Sequence, residues 1–429
     1  MGYGAAGSRW PAVADVQSLY ICRLDGAFGA TPRLHGSFGM DPSFIGAMVA
    51  AAVLAVWVYL ALGHGRFWLM RQRDRRTGGS LAAWPSVLAV VPARDEADCI
   101  AHSVTSLLQQ QYPGRFGVVL VDDQSRDGTA DVAAAAAAAI GASERLTVLR
   151  GAPLAPGWTG KLWAQHQGVT HAQALAQPPD YLLLTDADIV HAPDTLAWLA
   201  AHAERNGCVL VSLMAKLRCE SLAERLLIPA FIYFFAMLYP FAWVNDRTRR
   251  TAAAAGGCML VRHDALRAAG GVAAVRGALI DDCAIAGLLK TVGPIWLGLT
   301  RRVESIRAYP GFADIGRMVQ RSAYAQLRYS FLMLVLTVVA MSAVFIAPAV
   351  FALAGAGFAQ LVGATAWLLM AITFQPVLRF YGLSPLYGLL LPLVALLYVL
   401  FTCNSALQYA RGRGGQWKGR AQANLGQTP

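Results

Sequence analysis

Charge is scarce in this chain. Asp, Glu, Lys and Arg make up 14% of its 429 residues, against 56% hydrophobic residues. A soluble domain of this length carries more charge, so a purely soluble protein is excluded. Membrane segments plus one globular domain of roughly 250 residues fit better. Lysine is scarcer still: only Lys161, Lys216, Lys290 and Lys418 stand among 36 basic residues. The net charge is +11, but Arg clusters beside apolar runs, which marks juxtamembrane charge and not a nucleic-acid surface. The 7 cysteines form no close pair, so neither a zinc pattern nor a disulfide framework is expected. Reduced thiols facing the cytoplasm are the simple account. No Ser or Cys shows a nucleophile elbow or triad pattern, and the His residues show no ligand spacing.

Residues 1–40 are rich in Gly and Ala and poor in core-forming residues. They are expected to be a disordered or mis-called extension, with Met40 as the native start; an intact mass from the native gene tests this. Residues 44–62 are apolar and uncharged, enough for one transmembrane helix (44–63). Arg66, Arg71, Arg73, Arg75 and Arg76 follow, so the next domain faces the cytoplasm. From 86 to about 215, apolar runs at 87–92, 117–122, 146–149, 181–185 and 208–214 alternate with helix-like stretches. That alternation predicts an α/β domain over 80–330 with a mostly parallel sheet. Residues 226–244 are aromatic and interrupted by Pro229 and Pro240, and are expected to lie at the membrane surface. Three apolar runs then fill 331–403, before a basic tail over 404–429. Three crossings leave that tail outside while its charge places it inside. One run is re-entrant, or the tail breaks the rule.

Four acidic signals lie in order along the α/β region. The third, Asp186-Ala-Asp188, ends the apolar run 181–185. Two carboxylates at a strand end suit Mg²⁺ or Mn²⁺, with open positions left for substrate phosphates. The alternative is an ordinary strand-end turn. Asp122 and Asp123 end the run before them and suit a nucleobase imide, while Asp127 suits helix capping better. Arg94-Asp95-Glu96, just beyond the first strand with Pro92 and Ala93, suits base and ribose contact over a solvated charge run. Gly160-Lys161 opens a helix and suits a diphosphate. Asp281-Asp282 precede another helix. Adjacent carboxylates raise each other's pKa, and one suits a general base, the alternative being N-capping.

These motifs together resemble the membrane-bound family 2 glycosyltransferases of the GT-A fold, over about residues 86–310. The resemblance implies that Pro92, Ala93, Arg94, Glu96, Asp122, Asp123 and Lys161 meet the nucleotide sugar. It implies that Asp186 and Asp188 hold the diphosphate through a metal, and that Asp282, aided by Asp281, is the base of an inverting transfer. Gly157-Trp-Thr-Gly-Lys-Leu-Trp-Ala164, Gly256-Gly-Cys-Met-Leu-Val261 and Gln416-Trp-Lys-Gly-Arg420 are similar to the hopanoid-biosynthesis-associated members. A UDP-sugar donor and a triterpenoid lipid acceptor at the inner (cytoplasmic) membrane follow as expectations. Ceramide, carotenoid or polyprenyl phosphate remain alternative acceptors. Polysaccharide synthases carry Gln-x-x-Arg-Trp before the last membrane region; here Arg328-Tyr329 has no Gln at 325, which argues against a polymer product. Arg321 and Arg328 are the expected diphosphate contacts from this segment. A non-catalytic scaffold is disfavoured by four intact acidic motifs.

Overall fold

The computed structural model describes residues 42–74, 79–418 and 420–421. The expectations for 1–40 lie outside the described residues. The chain divides into Met1–Pro42 and Ser43–Pro429, and the described elements belong to the second unit apart from the first residue of α1.

The apolar run after Pro42 forms helix α1 (Pro42–Leu62). The chain then alternates as the run pattern predicts: β1 (Val87–Ala93), α2 (Ala97–Leu108), β2 (Phe116–Asp122), α3 (Thr129–Ala139), β3 (Leu146–Arg150), α4 (Gly160–Ala174) and β4 (Tyr181–Thr185). It continues with β5 (Ile189–His191), α5 (Thr195–Asn206), β6 (Leu210–Leu217), α6 (Leu222–Leu238), α7 (Phe241–Val244), β7 (Cys258–Arg262), α8 (His263–Ala268), α9 (Asp281–Lys290) and β8 (Ile295–Ser305). The eight strands form one sheet in the order β3-β2-β1-β4-β7-β6-β8-β5.

The sheet is mixed but, as expected, mostly parallel: β1-β2, β1-β4, β2-β3 and β6-β8 pair in parallel, while β7 and β5 are reversed. β1, β2, β3 and β4 are mutually parallel. β7 runs antiparallel to both β4 and β6. β5 runs antiparallel to β8. The parallel part reads as continuous apolar strands because both faces are covered; Leu182, Leu183 and Leu184 are almost wholly buried. All the acids named above emerge at or beyond the carboxyl ends of β1, β2 and β4, or at the start of α9, where an open α/β sheet binds its ligands.

The region 226–244 also departs from expectation. Helix α6 begins with a capping box in which Ser221 and Glu224 satisfy each other's backbone N–H groups. Leu227, Ile228, Ala230, Ile232 and Tyr233 are then fully buried. Tyr233 bonds Thr373 at 2.8 Å, and Phe234 meets Phe345 and Tyr398 edge-on. The segment is sandwiched between the α/β domain and the C-terminal helices instead of lying exposed. An amphipathic or aromatic pattern cannot distinguish lipid from protein as the apolar partner.

After α10 (Phe312–Gln326), three long apolar segments follow: Phe331–Ala354, Gly357–Tyr381 and Pro385–Ala410. With Phe44–Leu62 they make four helices long and apolar enough to cross a membrane. The first is interrupted: α11 (Phe331–Met341) passes through a π turn at Ser342–Ile346 into α12 (Ala347–Ala354). Pro348 has no N–H to offer the preceding turn. The Val344 carbonyl there instead accepts the buried indole N–H of Trp57 from α1 at 2.7 Å. That satisfies a freed backbone group at apolar depth and ties the first helix to the last three. Helix α13 (Gly357–Tyr381) ends against the α/β domain, where Arg301 of β8 donates to the Phe380 carbonyl at 2.7 Å. The third segment turns through a short 3-10 stretch into α14 (Leu391–Ala410), whose Ser405 hydroxyl bonds both the Gln320 carbonyl and the Tyr324 N–H of α10. Beyond it, β9 (Gln416–Trp417) and β10 (Arg420–Ala421) form a small hairpin.

Candidate active site

A cavity of about 550 Å³ opens beyond the carboxyl ends of the strands. Asp186, Asp188, Asp281, Asp282, Glu96, Lys161, Arg307 and Arg321 line it together with Phe231, Phe235 and Met318. A larger hollow of about 750 Å³ around Trp84, Tyr181 and Arg262 lies at the opposite strand ends and contains none of the expected donor residues.

Two cations, Lys161 and Arg307, hold Asp186, Asp281, Asp188 and Glu96. Lys161, in the first turn of α4, reaches Asp186 at 2.8 Å and Asp281 at 2.9 Å. Burial works against its charge, but those two carboxylates outweigh burial and raise its pKa. Arg307, just beyond β8, uses its Nε on Asp188 at 2.9 Å and its Nη2 on both oxygens of Glu96 at 2.7 and 2.9 Å. Its fork geometry suits this double role, and the two acids raise its pKa against the cost of burial. The Ser305 hydroxyl also donates to Asp188 at 3.0 Å.

Asp282 differs from its neighbour. Among the described residues no cation pairs with it; its Oδ2 accepts the Gly256 N–H at 2.9 Å and its Oδ1 accepts the Cys283 N–H at 2.7 Å. Burial, and then repulsion from Asp281, push its pKa up to about 6, with Lys161 and the two N–H groups pulling the other way. Neither bond is an N-cap: α9 begins at Asp281, with Ile280 at the cap position and no side-chain cap bond, so the capping alternative is not realised. Packing at Gly256 is tight: a Cβ there would stand 3.1 Å from Lys161 Nζ and 3.4 Å from Asp282 Oδ2, so both side chains would have to shift slightly.

The first-strand cluster lies beside the cavity. Pro92 lines it, and the carbonyl of buried Ala93 accepts the Asp123 N–H at 2.8 Å. Arg94 donates to the Asp123 carbonyl at 2.5 Å. Asp122 and Asp123 do different work. Asp122 accepts the Ser125 N–H at 3.1 Å, a turn contact, while Asp123 is fully buried close to the start of α4. Asp127 accepts from the N–H and hydroxyl of Thr129 and from the Ala97 N–H, joining the starts of α2 and α3; the N-cap positions themselves are Glu96 and Gly128, so Asp127 is not the cap that the sequence suggested. Arg321 lines the cavity from α10. Arg328 does not: it lies past the end of α10 with φ 53° and is exposed. The chain turns out at that point, so this expected contact is not brought to the site.

Sequence reasoning missed Arg307 and Ser305, and it noted the 416–420 segment only as a resemblance without bringing Trp417 and Lys418 to the site; all four line the cavity. Arg307 had one usable signal, a lone Arg just past the last strand. That strand was hidden because its own sequence carries Arg301, Arg302 and Glu304.

Among the described residues no group of three or more His, Cys, Asp or Glu forms a metal cage. The carboxylates of Asp186 and Asp188 nevertheless present hard oxygens to one open cavity. That donor set fits a divalent ion whose shell is completed by diphosphate oxygens.

Residues 88–270 match the family model described as "Glycosyl transferase family 2". The 4,4'-diaponeurosporenoate glycosyltransferase of Staphylococcus aureus strain RF122 is 33% identical over 121 residues, 28% of this chain and 30% of that protein. Its counterpart in strain N315 is 32% identical over the same shares. The alignment thus spans under a third of these curated relatives. Among solved structures, a mannosyltransferase of Pyrobaculum calidifontis in complex with GDP-Man and Mn²⁺ aligns with TM-score 0.49 and 18% identity, over 84% of this chain and 99% of that one. The glucosyl-3-phosphoglycerate synthase of Mycobacterium tuberculosis aligns with TM-score 0.38 and 18% identity, over 60% and 87%. The stretch matched by the family model, residues 88–270, is under half of the chain and contains most of the mixed sheet together with Asp122, Asp123, Asp186 and Asp188.

Proposed function

We propose that the protein is a membrane-bound inverting glycosyltransferase that moves a sugar from a nucleoside-diphosphate donor to an apolar lipid carrying one reactive oxygen. One observation carries this reading. Asp282, with its pKa pushed up to about 6, shares a cavity with the Asp186-Ala-Asp188 pair and with Phe231, Phe235 and Met318 from the membrane-side helices. A base, a diphosphate site and an apolar wall therefore meet in one place.

In the reaction, the acceptor hydroxyl gives its proton to Asp282 as its oxygen bonds to the anomeric carbon. The bond from that carbon to the diphosphate breaks, and the diphosphate leaves with the electron pair. Lys161, at the N-terminus of α4, stands where that negative charge develops. A Mg²⁺ or Mn²⁺ held by Asp186 and Asp188 would supply Lewis-acid stabilisation of the same charge. Donor binding then redistributes the ion pairs that Lys161 and Arg307 now make. Pro92, Arg94, Glu96 and Asp123 serve the nucleoside end.

A hopanoid-type triterpenoid hydroxyl is the acceptor we favour, on the similarity of the Gly157–Ala164, Gly256–Val261 and Gln416–Arg420 segments noted above. The second reading is a carboxylate lipid, because the staphylococcal relatives are named for one. A carboxylate acceptor needs no base, so Asp282 would then be dispensable for proton removal.

We place the catalytic domain and the basic tail on the same, cytoplasmic face. Supporting this, Pro385–Ala410 begins just after Phe380, bonded to Arg301 of the domain, and ends beside α10. A segment with both ends on one face does not add a crossing, which reconciles the tail's charge with the positive-inside rule.

The test is to incubate purified protein with each nucleotide sugar, Mg²⁺ or Mn²⁺ and a bacterial lipid extract, and to read lipids by mass spectrometry. A sugar-sized gain on a triterpenoid is expected. A base-labile ester product favours the carboxylate reading. No product with any donor or extract contradicts both.

A further inference from the structure

The C-terminal hairpin has no part in the mechanism above, yet it lies against the donor residues. Lys418 Nζ stands 3.0 Å from Glu96 Oε1 and donates to the Asp95 carbonyl at 2.8 Å. Arg94 Nε donates back to the Lys418 carbonyl at 3.4 Å. Trp417 covers the first turn of α4. A Cβ added to Gly160 would stand 2.7 Å from the indole ring and 3.7 Å from Asp123 Oδ2. The tail therefore touches both the first-strand cluster and the helix start that carries Lys161.

We propose that Trp417 and Lys418 are donor-binding residues, walling the nucleoside-diphosphate end of the cavity. The inference rests on the glycosyltransferase reading and extends it to a segment far outside residues 88–270. Three physical arguments support it. Glu96 is buried, at 7% exposure, and holds Arg307 on one side and Lys418 on the other. Since Arg307 also holds Asp188, a continuous chain Lys418–Glu96–Arg307–Asp188 links the tail to the diphosphate acids. Second, Gly160 has a steric reason to be glycine only if the indole occupies its place. Third, the pair combines a flat apolar ring with a cation, which suits an anionic ligand carrying a sugar and a base. Only residues 411–415 separate this wall from α14, so the donor site is anchored to the last membrane segment.

The experiment measures binding of UDP and GDP, with Mg²⁺, to full-length detergent-solubilised protein by calorimetry. Lys418→Ala and Trp417→Ala are each expected to weaken the preferred nucleotide by about tenfold, the scale of one charged contact. Gly160→Ala is expected to match Trp417→Ala without altering the tail, and Lys418→Arg to retain most affinity. UDP or GDP should also protect the bond after Lys418 from trypsin in the wild type, an effect a merely structural tail would not show. Should wild type bind while every variant binds equally well and the nucleotide gives no protection, the tail is not a donor element and the glycosyltransferase reading stands. Should wild type bind neither nucleotide, both fall.

Discussion

Asp186 and Asp188 are one residue apart, yet they are held by different parts of the chain. Asp186 pairs with Lys161, which also reaches Asp281. Asp188 pairs with Arg307, and through Glu96 with Lys418. The first cluster joins Asp186 to the start of α9, which carries the proposed base. The second joins Asp188 to the first-strand cluster, the proposed nucleoside end, and to the C-terminal tail. The first is a point charge shared between two carboxylates and the second a planar fork. The difference teaches that chemistry and donor recognition are separable in this cavity, and substitutions on the two sides should fail differently.

The largest expected effect is on the first side. Lys161→Met leaves the half-buried Asp186 and Asp281 without their shared cation and, on the proposed mechanism, removes the charge facing the leaving group. Turnover should fall by about 10²–10³, the scale of one lost transition-state donor. Losing a partner also destabilises the fold, so a melting curve must accompany the rate. A loss confined to KM would erase the distinction between the two sides.

The pH profile sharpens the same point. As the proposed base, Asp282 would act only when deprotonated, and its pKa is raised to about 6. Activity should therefore be flat above that pH and drop tenfold per unit below it. Because Lys161 lowers this pKa, the residual activity of Lys161→Met should show its acid limb moved to higher pH. An unmoved limb would separate Lys161 from Asp282.

Arg307→Lys is the counterpart on the second side. A single ammonium cannot bridge Glu96 and Asp188 as the fork does. Donor KM should rise by about tenfold with kcat nearly kept, from the loss of one charged contact. Smaller effects are expected on the membrane side. Phe235→Ser should raise acceptor KM several-fold, since Phe235 lines the cavity. Phe234→Ser should instead lower thermal stability, since Phe234 packs against Phe345 and Tyr398.

The two sides were also unequally legible in the sequence. Lys161, Asp186, Asp281 and Asp282 were readable because each ends an apolar strand or opens a helix, and those patterns are local. The parallel strands β1 to β4 were readable for the same reason. The reversed direction of β7 was not, because an apolar run carries no direction. β5 has three residues and β8 carries charges on its exposed half, so neither has a clean pattern. Arg307 and Lys418 meet Glu96 across 211 and 322 residues of chain, a contact only the fold creates. The burial of α6 was hidden because lipid and protein select the same residues.

The most direct test of the account is a single-turnover comparison of wild type and Asp282→Asn, with nucleotide binding measured on the same samples. The account predicts that the variant binds nucleoside diphosphate normally while sugar transfer to a lipid hydroxyl falls by about 10²–10⁴. Transfer at the wild-type rate by Asp282→Asn would contradict its role as the base.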